Sequence, residues 1–199
     1  KETEEEAQAV PRSFYRRQLP ESSCLAFSSA AGRKLFAEAL DERRLQGNME
    51  SFFPLAEQFI TQDEPAFCGI TSLTMILNAL AIDPGRLWKG PWRWYHERNL
   101  DTCEALDEVK QQGVGYRKLA CLARCNGAEA EVREAAADAL PRFRATVADV
   151  CSGRRPGAHL IVSYDRRQLG QTGEGHHTPV GGYHSRSDML LVLDVARFK

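Results

Sequence analysis

The chain has 199 residues, 43% of them hydrophobic and 27% charged, and a formal net charge of −1 with acidic and basic residues interspersed. That balance fits one globular domain with enough chain to bury a core unaided by disulfides. It excludes a basic face for nucleic acid, and no apolar run approaches the roughly 20 residues of a membrane span.

The first residues, Lys-Glu-Thr-Glu-Glu-Glu-Ala, form an acidic stretch with neither a secretory apolar core nor the Arg/Ser richness of a transit peptide. Residues 1–12 are therefore expected to be a disordered tail and residues 13–199 a single domain, with no repeat or linker. The six cysteines (Cys24, Cys68, Cys103, Cys121, Cys125, Cys151) are expected to be free thiols in a cytoplasmic setting.

In chain order, Ala31, Leu35, Phe36 and Leu40 have helical spacing, and Ser28 or Ser29 is positioned to cap a helix over 30–40. An aromatic-rich segment, Phe52 to Ile60, leads into a loop containing Gln62. From Cys68 to Leu80 the apolar residues Ile70, Leu73, Ile76, Leu77 and Leu80 predict a core-facing helix, which Asp83-Pro84-Gly85 would stop. A Trp-rich loop from Trp88 to Tyr95 follows, then amphipathic helices over 103–111, 117–124 and 140–151, the second closed by Asn126-Gly127. The runs 158–164, 177–183 and 189–195 are rich in β-formers and separated by turn residues, so an antiparallel sheet ends the sequence. Helices first and strands last predict an α+β fold, its N-terminal helical part packed on a C-terminal antiparallel sheet.

A cysteine at the start of an apolar helix is more often a small buried hydrophobe than a nucleophile. Here the surroundings favour chemistry. The helix N-terminus stabilises a thiolate at Cys68, and a thiolate needs a base, a group orienting that base and donors for the developing oxyanion. His176 and Asp194 supply the first two if a hairpin reversing near Ser185 sets them opposite each other. His177 is a rival base, but neighbours on a strand face opposite sides, and this register gives Asp194 the face of His176. Gln62, six positions ahead of Cys68, would supply an oxyanion donor beside the Cys68 backbone N–H.

The motifs Phe14-Tyr-Arg-Arg, Gln62-Asp-Glu-Pro-Ala-Phe-Cys68-Gly, Leu77-Asn-Ala-Leu-Ala-Ile-Asp-Pro-Gly-Arg86, Trp88-Lys-Gly-Pro-Trp-Arg-Trp94, Gln171-Thr-Gly-Glu-Gly-His176 and Leu193-Asp-Val-Ala-Arg-Phe-Lys199 are long and specific. Through them the chain resembles phytochelatin synthase, the glutathione γ-glutamylcysteinyltransferase of the papain-like superfamily, in its catalytic domain. The resemblance implies a papain-like cysteine-protease fold and a ping-pong reaction in which Cys68 attacks the Cys–Gly amide of glutathione. Glycine leaves, and γ-Glu-Cys passes to a second glutathione or a growing chain. Cys68 would be the nucleophile, His176 the acid/base, Asp194 its orienter and Gln62 the oxyanion donor, with Arg166, Arg197 and Lys199 near the cleft as ligands for substrate carboxylates.

The same resemblance implies no covalently bound cofactor and stimulation by a heavy-metal ion (cadmium, zinc or copper), mainly as the metal–glutathione thiolate that serves as acceptor. No metal site is assigned to the protein. Cys121 and Cys125 share a helix face with Cys103 as a candidate third ligand, but the spacing is not that of structural zinc, and Thr102-Cys103 stands where the family often has a cysteine pair. The family's catalytic domain also continues beyond Lys199, so the chain is expected to be truncated at that end. Glutathione and its metal complex are the expected partners, with no nucleic acid and no membrane; oligomeric state, a homodimer included, is left open. A papain-like thiol hydrolase of glutathione or its conjugates, and a thiol-rich metal-buffering module, are the competing readings.

Overall fold

Every residue from Cys68 to Leu77 is buried, so helix α3 (Cys68–Ala79) is wrapped by the rest of the fold rather than lying on its surface. Its polar side chains find partners inside: the Thr74 hydroxyl donates to the Ile70 carbonyl (2.8 Å) and the Ser72 hydroxyl to the His177 carbonyl (3.1 Å). This computed structural model describes residues 19, 23–41, 48–102 and 105–196. The expected tail over 1–12, the Phe14 motif, Cys103, Arg197 and Lys199 lie outside the described residues.

On one side of α3, Ile70, Leu73 and Leu77 pack with Tyr95, Val109, Leu119 and Leu122; on the other, Cys68, Met75 and Ile76 pack with Leu55, Leu193 and Val195. Leu77 is fully buried, and truncating such a leucine to alanine costs about 2–5 kcal/mol. The helix ends before the turn expected to stop it. Ala81 takes the left-handed conformation (φ 54°) and the Ile82 N–H reaches back to the Leu77 carbonyl (3.1 Å). Asp83 then accepts the Gly85 N–H (2.9 Å), closing the Asp-Pro-Gly turn.

The other helices are α1 (Ala30–Asp41), its Gly32 N–H capped by Ser29 Oγ (3.0 Å), α2 (Phe52–Ala56), α4 (Leu106–Gln112), α5 (Tyr116–Cys125) and α6 (Leu140–Cys151). The Trp-rich stretch, expected as a loop, contains a small antiparallel hairpin of β1 (Leu87–Lys89) and β2 (Trp92–Arg93), turned at Gly90 (φ 53°). A second sheet joins β3 (Ile161–Asp165), β4 (Gly175–His184) and β5 (Met189–Val192) in the order β3-β4-β5, all antiparallel. Helix α3 packs on β4, giving the α+β arrangement of a helical part against a late sheet. No helix among the described residues is long and apolar enough to cross a membrane.

The β4–β5 register contains an irregularity that matters for the site. His184 pairs with Met189, Tyr183 with Leu190 and Gly182 with Leu191, but Val180 then pairs with Val192, so one residue, Gly181, is bulged out. Had the ladder continued without it, Asp194 would have shared a face with His177. The extra residue restores parity, and Asp194 falls on the face of His176, which it meets diagonally rather than directly across as a reversal at Ser185 would require. Bare glycines permit close packing here. A Cβ on Gly182 would run into the Met49 sulfur, and one on Gly181 would lie 3.2 Å from Leu193 Cγ.

Candidate active site

Cys68 is the first residue of α3 and is 9% exposed. Its sulfur accepts the backbone N–H groups of His177 and Gly69 and is hydrogen-bonded to the His176 ring. Burial alone would raise the thiol pKa; these donors and the nearby imidazole outweigh it and bring the pKa below the ordinary 9.0. Close seating of the helix tip requires Gly69, because a Cβ there would collide with Val114 and approach His177 Cδ2 to 3.3 Å.

His176 and His177 point to opposite sides of β4, as strand alternation dictates. His176 Nε2 donates to Asp194 Oδ1 (2.8 Å), which leaves Nδ1 for the thiol. Burial opposes an imidazolium, yet the Asp194 carboxylate and the Cys68 sulfur raise the His176 pKa above 6.5. His177 donates from Nε2 to the Val114 carbonyl (2.9 Å), and burial lowers its pKa. Its contribution to the site is therefore its backbone N–H, while its ring anchors the segment before α5.

Asp194 Oδ1 also accepts the Ala196 N–H (2.9 Å), and Oδ2 lies 3.6 Å from Arg166 Nη2. Burial would raise this carboxyl, but the His176 hydrogen bond and charge, the Ala196 N–H and the Arg166 guanidinium bring it below 3.8. Arg166, expected at the cleft as a substrate ligand, is 6% exposed and directs its charge at Asp194.

Gln62 is brought to the site by its backbone N–H, which donates to the Val195 carbonyl (2.9 Å), one residue past Asp194. Its side-chain amide donates to the carbonyls of Glu64 (2.9 Å) and Pro65 (2.7 Å), so in this structure it braces the turn leading to Cys68. Service as an oxyanion donor requires one of those carbonyls to give way to substrate.

Two neighbours escaped the sequence reading. Tyr164 pairs with His176 across β3–β4 and meets its ring edge-on at 5.7 Å; burial and then Asp194 push its pKa up to about 12. Pairing the run 158–164 with the His176 strand would have found it. Glu97 is 2% exposed and reaches the loop from Gln62 to Cys68 and α3 from the segment after β2, a contact that no local pattern signals. The described cysteines, Cys24, Cys68, Cys121, Cys125 and Cys151, form no disulfide. Cys121 and Cys125 are exposed on α5, and no group of three or more His, Cys, Asp or Glu side chains among the described residues could hold a metal ion.

A sulfur at a helix tip, an imidazole on a strand and a carboxylate beyond the next strand form an array of the class that thiol-dependent acyl transfer requires. The sequence matches the phytochelatin synthase family over residues 14–199, and the chain belongs to that family. It is 52% identical over 186 residues to glutathione gamma-glutamylcysteinyltransferase 3 of Lotus japonicus, covering 94% of this chain and 38% of that protein. It is 49% identical over 187 residues to glutathione gamma-glutamylcysteinyltransferase 1 of Arabidopsis thaliana (94% and 37%). With the glutathione gamma-glutamylcysteinyltransferase of Schizosaccharomyces pombe it shares 46% identity over 190 residues (96% and 44%). The chain thus spans less than half the length of each of these relatives.

Proposed function

We propose that this chain carries the catalytic machinery of a γ-glutamylcysteine dipeptidyl transpeptidase that makes phytochelatins from glutathione, built on a papain-like fold. The observation that carries the reading is the Cys68–His176–Asp194 array, with a thiol pKa held down and an imidazole pKa held up. Membership of the phytochelatin synthase family supports the choice of glutathione. A helix bearing the cysteine, laid on an antiparallel sheet bearing the histidine, supports the papain-like assignment.

In this mechanism the Cys68 thiolate attacks the carbonyl carbon of the Cys–Gly amide. The oxyanion forms near the first turn of α3, where the Cys68 N–H and a released Gln62 amide are the proposed donors. Collapse breaks the C–N bond; the His176 imidazolium gives its proton to the departing glycine amine, leaving a γ-Glu-Cys thioester on Cys68. The α-amino group of a second glutathione then attacks the thioester, neutral His176 takes the amine proton, and the Cys68 thiolate is expelled with the peptide product. Asp194, held by Arg166 and the Ala196 N–H, keeps the ring oriented and supports its charged form in both halves.

Heavy-metal ions such as cadmium, zinc or copper enter as part of the acceptor, a metal–glutathione thiolate complex, rather than as a resident cofactor. Arg197 and Lys199 are proposed as ligands of glutathione carboxylates, and the setting is proposed to be cytoplasmic. The test is product analysis of the full-length protein with glutathione and cadmium. Oligomers of γ-Glu-Cys with release of glycine are expected, and Cys68→Ser should abolish them. Mainly γ-Glu-Cys and glycine would instead identify a hydrolase, and turnover retained by Cys68→Ser would refute the mechanism.

A further inference from the structure

The peptide between Gln62 and Cys68 sets the distance between the proposed oxyanion donor and the nucleophile, and one side chain from elsewhere in the chain touches its first end directly and its second through Thr71. Glu97 accepts the Asp63 N–H, with both carboxyl oxygens 3.3 Å from that nitrogen, just after Gln62. Its Oε1 also meets the Thr71 hydroxyl in the first turn of α3. The same hydroxyl lies 2.8 Å from the carbonyl of Phe67, the residue before Cys68. Three oxygens thus stand in a row: Glu97 Oε1, Thr71 Oγ1 and Phe67 O.

A hydroxyl has one proton, and this row contains two close contacts. Were Glu97 ionised, Thr71 could satisfy only one neighbour and would turn bare lone pairs toward the other. A proton on Glu97 resolves the conflict, because the carboxyl then donates to Thr71 and Thr71 donates to Phe67. The surroundings agree. Glu97 is 2% exposed, and among the described residues no cation forms an ion pair with it. The charged group facing it from the Gln62–Cys68 loop is Asp63, α3 presents the Thr71 hydroxyl, and on its own segment Arg98 turns to Asp63 Oδ2 (3.8 Å). Burial first, then the Asp63 charge and a carboxyl–carboxyl hydrogen bond with the Asp63 side chain, outweigh the Thr71 and Asp63 N–H hydrogen bonds and raise the carboxyl above its ordinary value.

We propose that Glu97 is a positioning residue working as a neutral carboxylic acid, a buried clamp that fixes the Gln62–Cys68 loop to the first turn of α3. This rests on the reading of Cys68 as the nucleophile. A glutamine reproduces a neutral acid here: its amide N–H₂ donates to Thr71 and its oxygen accepts the Asp63 N–H. A leucine fills the volume and does neither.

The test measures iodoacetamide alkylation of Cys68, located by mass spectrometry, and thermal unfolding against pH, for the full-length wild type, Glu97→Gln and Glu97→Leu. Glu97→Gln should stay within about twofold of the wild-type rate and Glu97→Leu should fall about tenfold or more, as small misplacements at reacting centres do. The folded acid has the raised pKa, so its contribution is full below 4.5 and is lost as pH rises through the folded value. The wild type should therefore lose stability relative to Glu97→Gln as pH increases, and this comparison holds even if Glu97→Leu fails to fold. Glu97→Gln as impaired as Glu97→Leu, or a wild-type/Gln difference that does not move with pH, would overturn the neutral clamp. Alkylation needs no glutathione, so these results stand apart from the identity of the substrate; Cys68 reacting as an ordinary thiol in the wild type would overturn the clamp and the nucleophile reading together.

Discussion

Replacing Asp194 with alanine should damage stability and reactivity through two separable routes. Asp194 and Arg166 are 7% and 6% exposed, and their charged atoms approach to 3.6 Å. At an effective dielectric constant near 20 that separation corresponds to about 4–5 kcal/mol of attraction. Breaking a buried pair by removing one partner costs about 3–5 kcal/mol, because the surviving charge keeps its desolvation penalty without its counter-charge. For a domain of this size, with roughly 2–4 °C lost per kcal/mol, Asp194→Ala should melt about 6–20 °C below wild type. Adding Arg166→Met removes the cation and should recover at least half of that loss, a strongly non-additive cycle. Cys68 alkylation should stay slow in both variants, since His176 has lost the acceptor for its Nε2–H. The depressed Asp194 pKa contributes stability that is present above 3.8 and lost as pH falls through the folded value, so the gap to wild type should narrow in acid. Differential scanning calorimetry and timed iodoacetamide labelling decide the matter. Additive melting losses, or reactivity that recovers along with stability, would refute the assignment.

Across a pH series, labelling of Cys68 should reach half its maximal rate below 9.0, whereas Cys151, fully buried and pushed up to about 12, should stay unlabelled in the native protein. Gln62→Ala exposes the Glu64 and Pro65 carbonyls to a stability loss of about 1–3 kcal/mol. If the amide also serves the oxyanion, kcat should fall about 10²–10³-fold in the variant that remains folded, which steady-state kinetics at a temperature below its melt will show. Gly182→Ala drives a methyl into Met49 and should cost about 1–3 kcal/mol by denaturant titration, with partial relief from the added substitution Met49→Ala.

Much of this was legible from residue patterns. Helix α1 and the cysteine helix follow from apolar spacing, and the choice of His176 over His177 follows from strand alternation together with the hairpin register that sets Asp194 on its face. What escaped depends on contacts between distant segments. The reversal was expected near Ser185, and simple pairing gave Asp194 the correct face, but the actual ladder reaches that face through a bulge at Gly181. Periodicity does not encode such an offset. The Trp-rich stretch has few residues per strand and exposed faces, so it lacks the one-sided apolar alternation that would have marked β1 and β2. Arg166 was expected near the cleft as a ligand for substrate carboxylates; its buried approach to Asp194 joins segments 28 residues apart, which no local pattern marks. Glu97 was silent because its partners, Asp63 and Thr71, are 34 and 26 residues away.

The bulged Gly181 makes the turn between β4 and β5 intolerant of odd changes in length. Losing or gaining a single residue over 185–188 would rotate the acidic side chain to the opposite surface of the sheet, separating it from its imidazole while leaving the hairpin able to form. Natural variation or engineering of that loop should therefore proceed in steps of two, or be accompanied by loss of the bulge itself. A loop remote from the sulfur in sequence thereby carries a counting rule for the chemistry.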